Sequence, residues 1–444
     1  MRALRDNNRR HRFHWRFWGL LFLAIGLGLG VTSDGAAFAQ EYLPGRKSSQ
    51  RPVDPSKRRD AAPKDYKFEG EYGLWVTVSE DSVTVHWITT KADTGFLQVF
   101  RKNKQIYKTT TRPAQFHKAQ IKKPRASELR LNYGSIKPDR RYITTIYFEP
   151  KPPKAVVSKV DSLFVIGDIH GQFNELTRLL RNAGLIDNSL NWIGGRKQLV
   201  CLGDLFDRGD DVTRTLWFLY GLEYQAEKAG GRVHVVLGNH ELLIFSNDLR
   251  YVARKEALIA YSHRTTYPGL FDLRESVLGK WLATKPGLIR IDDILCAHGG
   301  IVPYYSRNYS ISAFNDSLQK FLHDDMFDDL LADSVFIAKT DTALFQRRLL
   351  FLHGDDSVFW YRNYVYDDRL GDDLNTVLRK YKSKIHVVAH TPVKTITEFY
   401  DGKLIAVDLH DPATEILLLV RKKKRRYERY KLGITCGLTP LTTP

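Results

Sequence analysis

Two kinds of hydrophobic pattern divide this chain. Over its first third the apolar positions alternate: Ser82 to Thr89 sets Val83, Val85 and Trp87 on one side of an extended backbone, with Thr84, His86 and Ile88 on the other. A period of two marks a half-buried strand. Similar runs fall at 95–101, 105–110, 128–134 and 141–149, with turn residues between them. Short strands at this spacing predict a small all-β sandwich over residues 67–155. From residue 160 the period changes. Leu163 to Ile166, 198–202 and 233–237 are short apolar runs, and 173–180 and 212–228 between them are helical patterns. That succession predicts an α/β domain with parallel strands and crossover helices, over residues 160–420. Leu288 to Ala297, Ile385 to Ala389 and Leu404 to Val407 read as its later strands.

The ends of the chain differ from the middle. Of the formal net charge of +18, much lies in the first sixteen residues and in 421–431, where eight Lys and Arg face Glu428 alone. The arginines at 9, 10, 12 and 16, the apolar stretch from Phe17 to Val31 and the small residues Ala37 and Ala39 predict a signal peptide over 1–39. The protein is then exported to the periplasm or secreted, or is membrane-anchored if the segment is not cleaved. Arg9-Arg10 leaves Sec and twin-arginine export both open. Residues 40–66 are a basic, Pro-containing linker with few large apolar side chains. Residues 421–444 are a basic C-terminal tail with no periodic pattern of its own beyond a possible final strand. Three cysteines are too few, and odd in number, for a disulfide framework; Cys201 and Cys296 read as buried thiols.

The chemistry sits where the apolar runs of the second domain stop. Gly167-Asp168-Ile169-His170-Gly171 follows the first run and Gly203-Asp204-Leu205-Phe206-Asp207-Arg208-Gly209 the second. Gly238-Asn239-His240-Glu241, His298-Gly299-Gly300 and His390 follow later ones. Functional loops of such sheets gather at the carboxyl ends of the strands. One Asp-x-His is weak evidence, but five separated blocks of this kind are strong. Carboxylate, imidazole and amide donors together suit two adjacent hard-to-borderline metal ions, which predicts a two-metal phosphoesterase.

The order of these blocks resembles the calcineurin-like metallophosphoesterases, in their phosphoprotein phosphatase branch. His170 separates the chain from the purple acid branch. Asn247 to Val252 and Trp360-Tyr361-Arg362 look like the Shewanella-like protein phosphatases, and the likeness covers roughly residues 160–410. Leu131, Ile136, Pro138 and Tyr142 resemble the tyrosine-corner region of fibronectin type III modules, such as the one that precedes the catalytic domain of purple acid phosphatases. The resemblance implies a metallophosphoesterase β-sandwich flanked by helices. It also implies that Asp168 and His170 bind one metal, that Asp204 bridges, and that Asn239, His298 and His390 complete the second. A shared carboxylate lets two cations sit roughly 4 Å apart, and a hydroxide between them attacks phosphorus in line. His240 acts as general acid, oriented by Asp207. Arg208 and Arg362 grip the phosphate through planar guanidinium forks. Manganese, iron and zinc all suit the donor set.

The function expected is hydrolysis of phosphate monoesters, on phosphoprotein side chains (Tyr or Ser/Thr) or small esters. The alternative on the same scaffold is a nucleotide or dinucleoside-polyphosphate hydrolase, with Tyr361, Tyr364 and Tyr366 as base-stacking candidates. A third reading is an envelope protein that binds polyanions or an anionic membrane surface through its basic tail, with catalysis secondary. Nothing points to a specific nucleic acid. His234 and His386 lie inside apolar strands and read as core residues. Glu241, His353, His410 and Asp408 are candidates to support the ligands rather than react. The acidic run Asp324, Asp325, Asp328, Asp329 lacks the glycine and spacing of a calcium loop and reads as a solvated helix face.

Overall fold

The structure, a computed structural model, describes residues 73–137, 140–323, 342–409, 412–423, 426–435 and 437–441. The expected signal peptide and linker, Pro138, His410, Cys436 and the acidic run at 324–329 lie outside the described residues.

The first domain holds β1 (Trp75–Val78), β2 (Ser82–Asp93), β3 (Gly95–Arg101), β4 (Lys104–Thr110), β5 (Ala114–Lys122), β6 (Glu128–Ser135) and β7 (Arg140–Tyr147). They form a sandwich of two antiparallel sheets, β1-β2-β5 and β4-β3-β6-β7. The alternation fixes the inner faces: Val83, Val85, Trp87, Leu97, Val99, Leu129 and Leu131 are fully buried. The Trp87 indole N–H donates to the Gly134 carbonyl at 3.1 Å, so the largest core side chain leaves no polar group unpaired. The sequence pattern did not reveal β1 or β5. β1 is only four residues long, and β5 buries His117, Ala119 and Ile121 between exposed Lys118, Gln120 and Lys122, too little apolar surface to signal a strand.

The second domain adds β8 (Val156–Val157), β9 (Ser162–Ile166), α1 (Phe173–Asn182), β10 (Gln198–Cys201), α2 (Val212–Lys228), β11 (Arg232–Val235), α3 (Asn239–Phe245), α4 (Arg254–Ser262) and α5 (Val277–Ala283). It continues with β12 (Leu288–Ile291), β13 (Ile294–Ala297), α6 (Pro303–Asn308), α7 (Ile311–Leu322), α8 (Thr342–His353), α9 (Asn363–Tyr366) and α10 (Gly371–Lys380). It ends with β14 (Ile385–Val388), β15 (Thr397–Phe399), β16 (Leu404–Ala406), β17 (Glu415–Lys422), β18 (Arg426–Gly433) and β19 (Leu438–Pro440).

Two six-stranded sheets result, ordered β11-β10-β9-β17-β18-β19 and β15-β16-β14-β13-β12-β8. They pack face to face on Val165, Val200, Leu202, Val387, Ile405 and Leu417. Helices α1 and α2 cover the far face of the first sheet through Leu179, Leu216 and Leu219. The far face of the second is covered by α7, α8 and α10 through Phe314, Phe351, Leu374 and Val377. The strands buried on both faces are the continuous apolar runs of the sequence, as parallel strands between layers require.

Three expectations need correction. The sheets are mixed rather than parallel: β9, β10 and β11 run parallel, and so do β13, β14 and β16, but β17 runs against both its neighbours and β12 runs against β13. Leu288–Ala297 is a hairpin, turning at Asp292 and Asp293. The basic C-terminal tail is part of the sheet, since β18 pairs along its whole length with β17 and then with β19. Ion pairs hide this in the sequence. Arg421 meets Asp292 at 3.4 Å, Lys422 meets Glu428 at 3.0 Å, Arg429 meets Glu398 at 2.6 Å and Lys431 meets Glu415 at 3.2 Å. With Asp292, Glu398 and Glu415 from distant segments as partners, a charge run that looks like a solvated end is compatible with a strand.

The sandwich is joined tightly to the second domain. Trp217 donates to the Leu74 carbonyl (2.9 Å), Lys280 to Val78 O (2.9 Å) and the Tyr147 amide to the Tyr220 hydroxyl (2.8 Å). One buried cluster runs from Val76 and Trp87 to Phe271 and Trp281.

Candidate metal centre

Every candidate donor lies just past the end of a strand. Asp168 and His170 follow β9, Asp204 follows β10, Asn239 opens α3 after β11, His298 follows β13 and His390 follows β14. Main-chain bonds lock the loops to one another: the His170 amide donates to Asp204 O (2.8 Å) and the Ala389 amide to His298 O (2.8 Å). His170, Asp204, Asp207, Arg208 and His390 all adopt left-handed backbone, with φ of 46°, 51°, 68°, 64° and 62°. Such strain in non-glycine residues persists only where surrounding structure imposes it, and it clusters at functional sites. Gly203 and Gly238 make the close approach possible. A Cβ on Gly203 would strike the Gly238 backbone, and one on Gly238 would strike the Asp204 carboxylate.

The imidazoles are aimed by the backbone. Nδ1–H of His170 donates to Phe206 O at 2.7 Å, and Nδ1–H of His298 to Leu202 O at 2.6 Å. Each bond fixes the tautomer and turns a bare Nε2 inward, the arrangement seen when a carbonyl orients a metal-binding histidine. His170 Nε2 lies 3.9 Å from Asp168 Oδ2 and 3.8 Å from Asp204 Oδ2. On the other side of Asp204, His298 Nε2 is 3.3 Å from Asp204 Oδ1, 2.8 Å from Asn239 Oδ1 and 3.2 Å from His390 Nδ1. Two groups of donor atoms therefore share Asp204: His170, Asp204 and His240, and Asp204, His298 and His390, each within 4.8 Å.

The electrostatics fit cations in this place. Burial, then Asp408 and Asp204, push the Asp168 carboxyl well above its usual range. Asp204 is held well below its own despite burial, by the imidazoles of His298, His240 and His170. Burial drives His170 down to about 3, with Asp204 opposing it. The Nε2 atoms of His170 and His390 are buried without a hydrogen-bond partner. Burial of two carboxylates beside imidazole nitrogens that lack a hydrogen-bond partner is costly on its own, and metal ions relieve that cost.

His240 sits beside the donors. Its Nδ1 is 2.6 Å from Asp207 Oδ2, and its Nε2 is 3.8 Å from Asp204 Oδ2. Arg362 reaches the same place, with Nη2 3.4 Å from His390 Nδ1. Arg208 is exposed at the rim, its amide bonded to Tyr251 O at 2.9 Å. The structure thus brings all ten predicted site residues into one region.

The supporting candidates divide. Glu241 is fully buried and binds three main-chain amides: Asp204 (2.9 Å), Leu205 (2.7 Å) and Gly238 (2.6 Å). Asp408, also buried, lies close enough to raise Asp168. His353 instead bonds Ser246 at the end of α3 (3.1 Å). His234 pairs with Gln198 (2.8 Å) and His386 with Leu295 O (3.2 Å), both in the core as the strand pattern predicts. Cys201 and Cys296 are buried free thiols. Tyr251 and Trp360 were given no role from sequence. The Tyr251 ring lies 5.4 Å from that of His240 and the residue is 46% exposed; Trp360 lies 5.7 Å from His390. The signal for both was their place in the Asn247–Val252 and Trp360–Arg362 motifs.

Paired sheets between helices, with carboxylate, amide and imidazole donors at the strand ends, define a metallophosphoesterase. Residues 162–394 match the calcineurin-like phosphoesterase family, and the chain belongs to it. It is 41% identical to Shewanella-like protein phosphatase 2 of Arabidopsis thaliana over 97 residues, 22% of this chain and 25% of that protein. With Shewanella-like protein phosphatase 1 of Plasmodium berghei (strain Anka) it shares 31% identity over 254 residues, 55% of this chain and 66% of that one. The chain thus spans between a quarter and just under two thirds of the length of these relatives. A crystal structure of a cold-active protein-tyrosine phosphatase from a psychrophilic Shewanella species superposes with a TM-score of 0.63 at 26% identity. The superposition covers 83% of this chain and 99% of that one, more than residues 162–394 make up.

Proposed function

We propose that this protein hydrolyses phosphate monoesters on protein side chains, phosphotyrosine foremost, with two metal ions drawn from manganese, iron and zinc. Asp168 and His170 would hold one ion, Asp204 would bridge, and Asn239, His298 and His390 would hold the other. When bound, the ions supply Lewis acidity toward phosphoryl oxygens and acidify bound water. Arg208 and Arg362 bind the phosphate oxygens and draw off negative charge. His240 donates the proton from Nε2 to the departing oxygen, while Asp207 holds the Nδ1–H side and stabilises the imidazolium before transfer. The observation that carries this reading is the Asp207–His240 pair, an oriented acid whose second nitrogen faces the shared carboxylate of the donor set.

Tyr251 favours the aryl substrate. Its ring lies 5.4 Å from that of His240, the group that would protonate the leaving oxygen, and offers a platform for a phenol. The Shewanella structure with the similar fold is described as a protein-tyrosine phosphatase, which agrees. For the first domain, the facing of β1-β2-β5 on β4-β3-β6-β7 supports a fibronectin type III-like module.

The test is turnover of p-nitrophenyl phosphate and of matched phosphotyrosine and phosphoserine/threonine peptides, before and after loading each metal, with Asp204→Asn as control. Metal-dependent turnover that the control loses, with phosphotyrosine ranked first, is the expected result. A metal-loaded protein that cleaves dinucleoside polyphosphates but no monoester would overturn the reading.

A further inference from the structure

Arg250 stands on the same turn as Tyr251, and the chemistry above gives it no part. Main-chain bonds already hold that turn: the Asn247 amide donates to Ile244 O (3.0 Å), Asp248 N to Leu243 O (2.8 Å) and Val252 N to Leu249 O (3.3 Å). Asp248 in addition grips the guanidinium from the side. Nε of Arg250 donates to Oδ1 at 2.8 Å and Nη2 to Oδ2 at 2.6 Å. The Arg250 side chain is 52% exposed, and an exposed pair contributes little to folding. Its effect is to fix the direction of the guanidinium.

A guanidinium has five N–H groups, and Asp248 takes one on Nε and one on Nη2. Nη1 and the second N–H of Nη2 meet no acceptor among the described residues. These are the prongs of the end-on fork, which matches a second carboxylate. Because Asp248 already restricts the long side chain, less freedom is lost when the fork is filled.

The fork lies at the mouth of the site. Cζ of Arg250 is 5.5 Å from the centre of the Tyr251 ring, and that ring is 5.4 Å from the ring of His240. The Tyr251 carbonyl accepts the Arg208 amide at 2.9 Å, which ties this turn to the loop that carries Arg208. Burial chiefly raises the Asp207 carboxyl, and Asp248 adds to the rise. The turn is therefore within Coulomb range of the Asp207–His240 pair.

We propose that Arg250 selects substrates: its end-on fork takes the carboxylate of an Asp or Glu within two positions of the phosphorylated residue. This rests on the phosphatase reading and narrows its substrate class to phosphopeptides with acidic neighbours. Two positions of an extended peptide span about 7 Å, comparable with the separation between Cζ of Arg250 and the Tyr251 ring that would receive the phenol. Asp248 offsets part of the charge on Arg250, so the preference is modest, roughly two- to fivefold, the scale of an exposed ion pair.

The experiment measures kcat and KM of the metal-loaded full-length chain on matched phosphotyrosine peptides. One series places a single Glu in turn at each position within two of the phosphotyrosine; the other places Gln there. At one position or more kcat/KM should favour Glu by roughly two- to fivefold, through KM, and the advantage should shrink with salt. In Arg250→Gln the ratio should fall to one. In Arg250→Lys, which keeps the charge without the fork, it should fall too. A variant that is folded by its melting temperature and keeps the ratio overturns the proposal. So does an Arg250→Gln that lowers both series alike, which marks a merely structural residue. A parent that cleaves no phosphate monoester, p-nitrophenyl phosphate included, overturns the phosphatase reading and the proposal with it. One that cleaves both series without discrimination overturns the proposal alone.

Discussion

The Glu241 carboxylate accepts the main-chain N–H of Asp204, at 2.9 Å, and so holds in place the backbone of the one residue that both donor groups share. The same oxygen takes the Gly238 amide at 2.6 Å, and its partner oxygen takes Leu205. Replacing Glu241 with Gln turns an acceptor into an NH2 facing an amide donor, while leaving volume almost unchanged. We predict a loss of about 10–100-fold in metal affinity, the usual cost of removing a group that orients a ligand. Metal content measured after dialysis against a graded chelator checks this. Parent-like metal retention would reduce Glu241 to a packing residue.

Asp207 should matter in proportion to how badly the leaving group needs a proton. In Asp207→Asn the amide can orient His240 but cannot stabilise its imidazolium. Phosphoserine peptides should then lose about 10²–10⁴-fold in kcat. p-Nitrophenyl phosphate, whose leaving group departs readily as the anion, should lose far less. Metal content should stay unchanged. Equal losses on both substrates would argue against general-acid catalysis through His240.

Tyr251 offers a separate test of the aryl preference. An aromatic pair contributes about 0.5–1.5 kcal/mol beyond simple burial, so Tyr251→Ala should lower kcat/KM for a phosphotyrosine peptide by up to about tenfold. A phosphoserine peptide of the same sequence should change little. Because the Tyr251 carbonyl also holds the Arg208 amide, Tyr251→Phe serves as the control that keeps ring and backbone. A variant equally impaired on both peptides would point to loss of the Arg208 contact instead.

The domain junction is sensitive to acid. His86 of β2 and His263 lie with ring centroids 5.6 Å apart, Trp75 packs on both, and His263 Nε2 bonds Gly73 O at 2.8 Å. Burial, with help from His263 and Lys118, holds His86 down at about 3; burial holds His263 at about 4, although its bond to Gly73 pulls it up. In the unfolded chain both titrate near about 6.5. Between about pH 6.5 and 4 the unfolded chain therefore binds protons that the folded chain does not. The stability associated with these neutral imidazoles is fully present above that window and is lost as pH falls through it. The melting temperature should drop across the window, and the drop should be shallower in His86→Asn/His263→Asn. Other buried histidines add to the slope, so the difference between the two curves is the readout. Parallel curves would show that the junction histidines do not contribute.

Much of this protein was legible in the sequence because its chemistry is local. The donors sit at the ends of short apolar strands, where Asp168 and His170 or Asn239 and His240 are near neighbours along the chain. Strands buried on both faces are continuously apolar, so β9, β10, β11 and β14 announce themselves. In β2 of the sandwich, period two alone picked out Val83, Val85 and Trp87 as one face, and all three are fully buried. What stayed hidden depends on partners far away in the chain. β17 and β18 look like a solvated basic end until Asp292, Glu398 and Glu415 are brought alongside. β1 is too short to signal, and it gains its place from Trp217, Lys280 and His263 of the second domain. The sequence alone determined which donor side chains stand at the strand ends, since residue type and position along the chain decide that. Tertiary structure alone decided that His298 and His390 meet on one side of Asp204 and that Tyr251 lies beside His240. Those are distances between segments that only the packing of the sheets brings together.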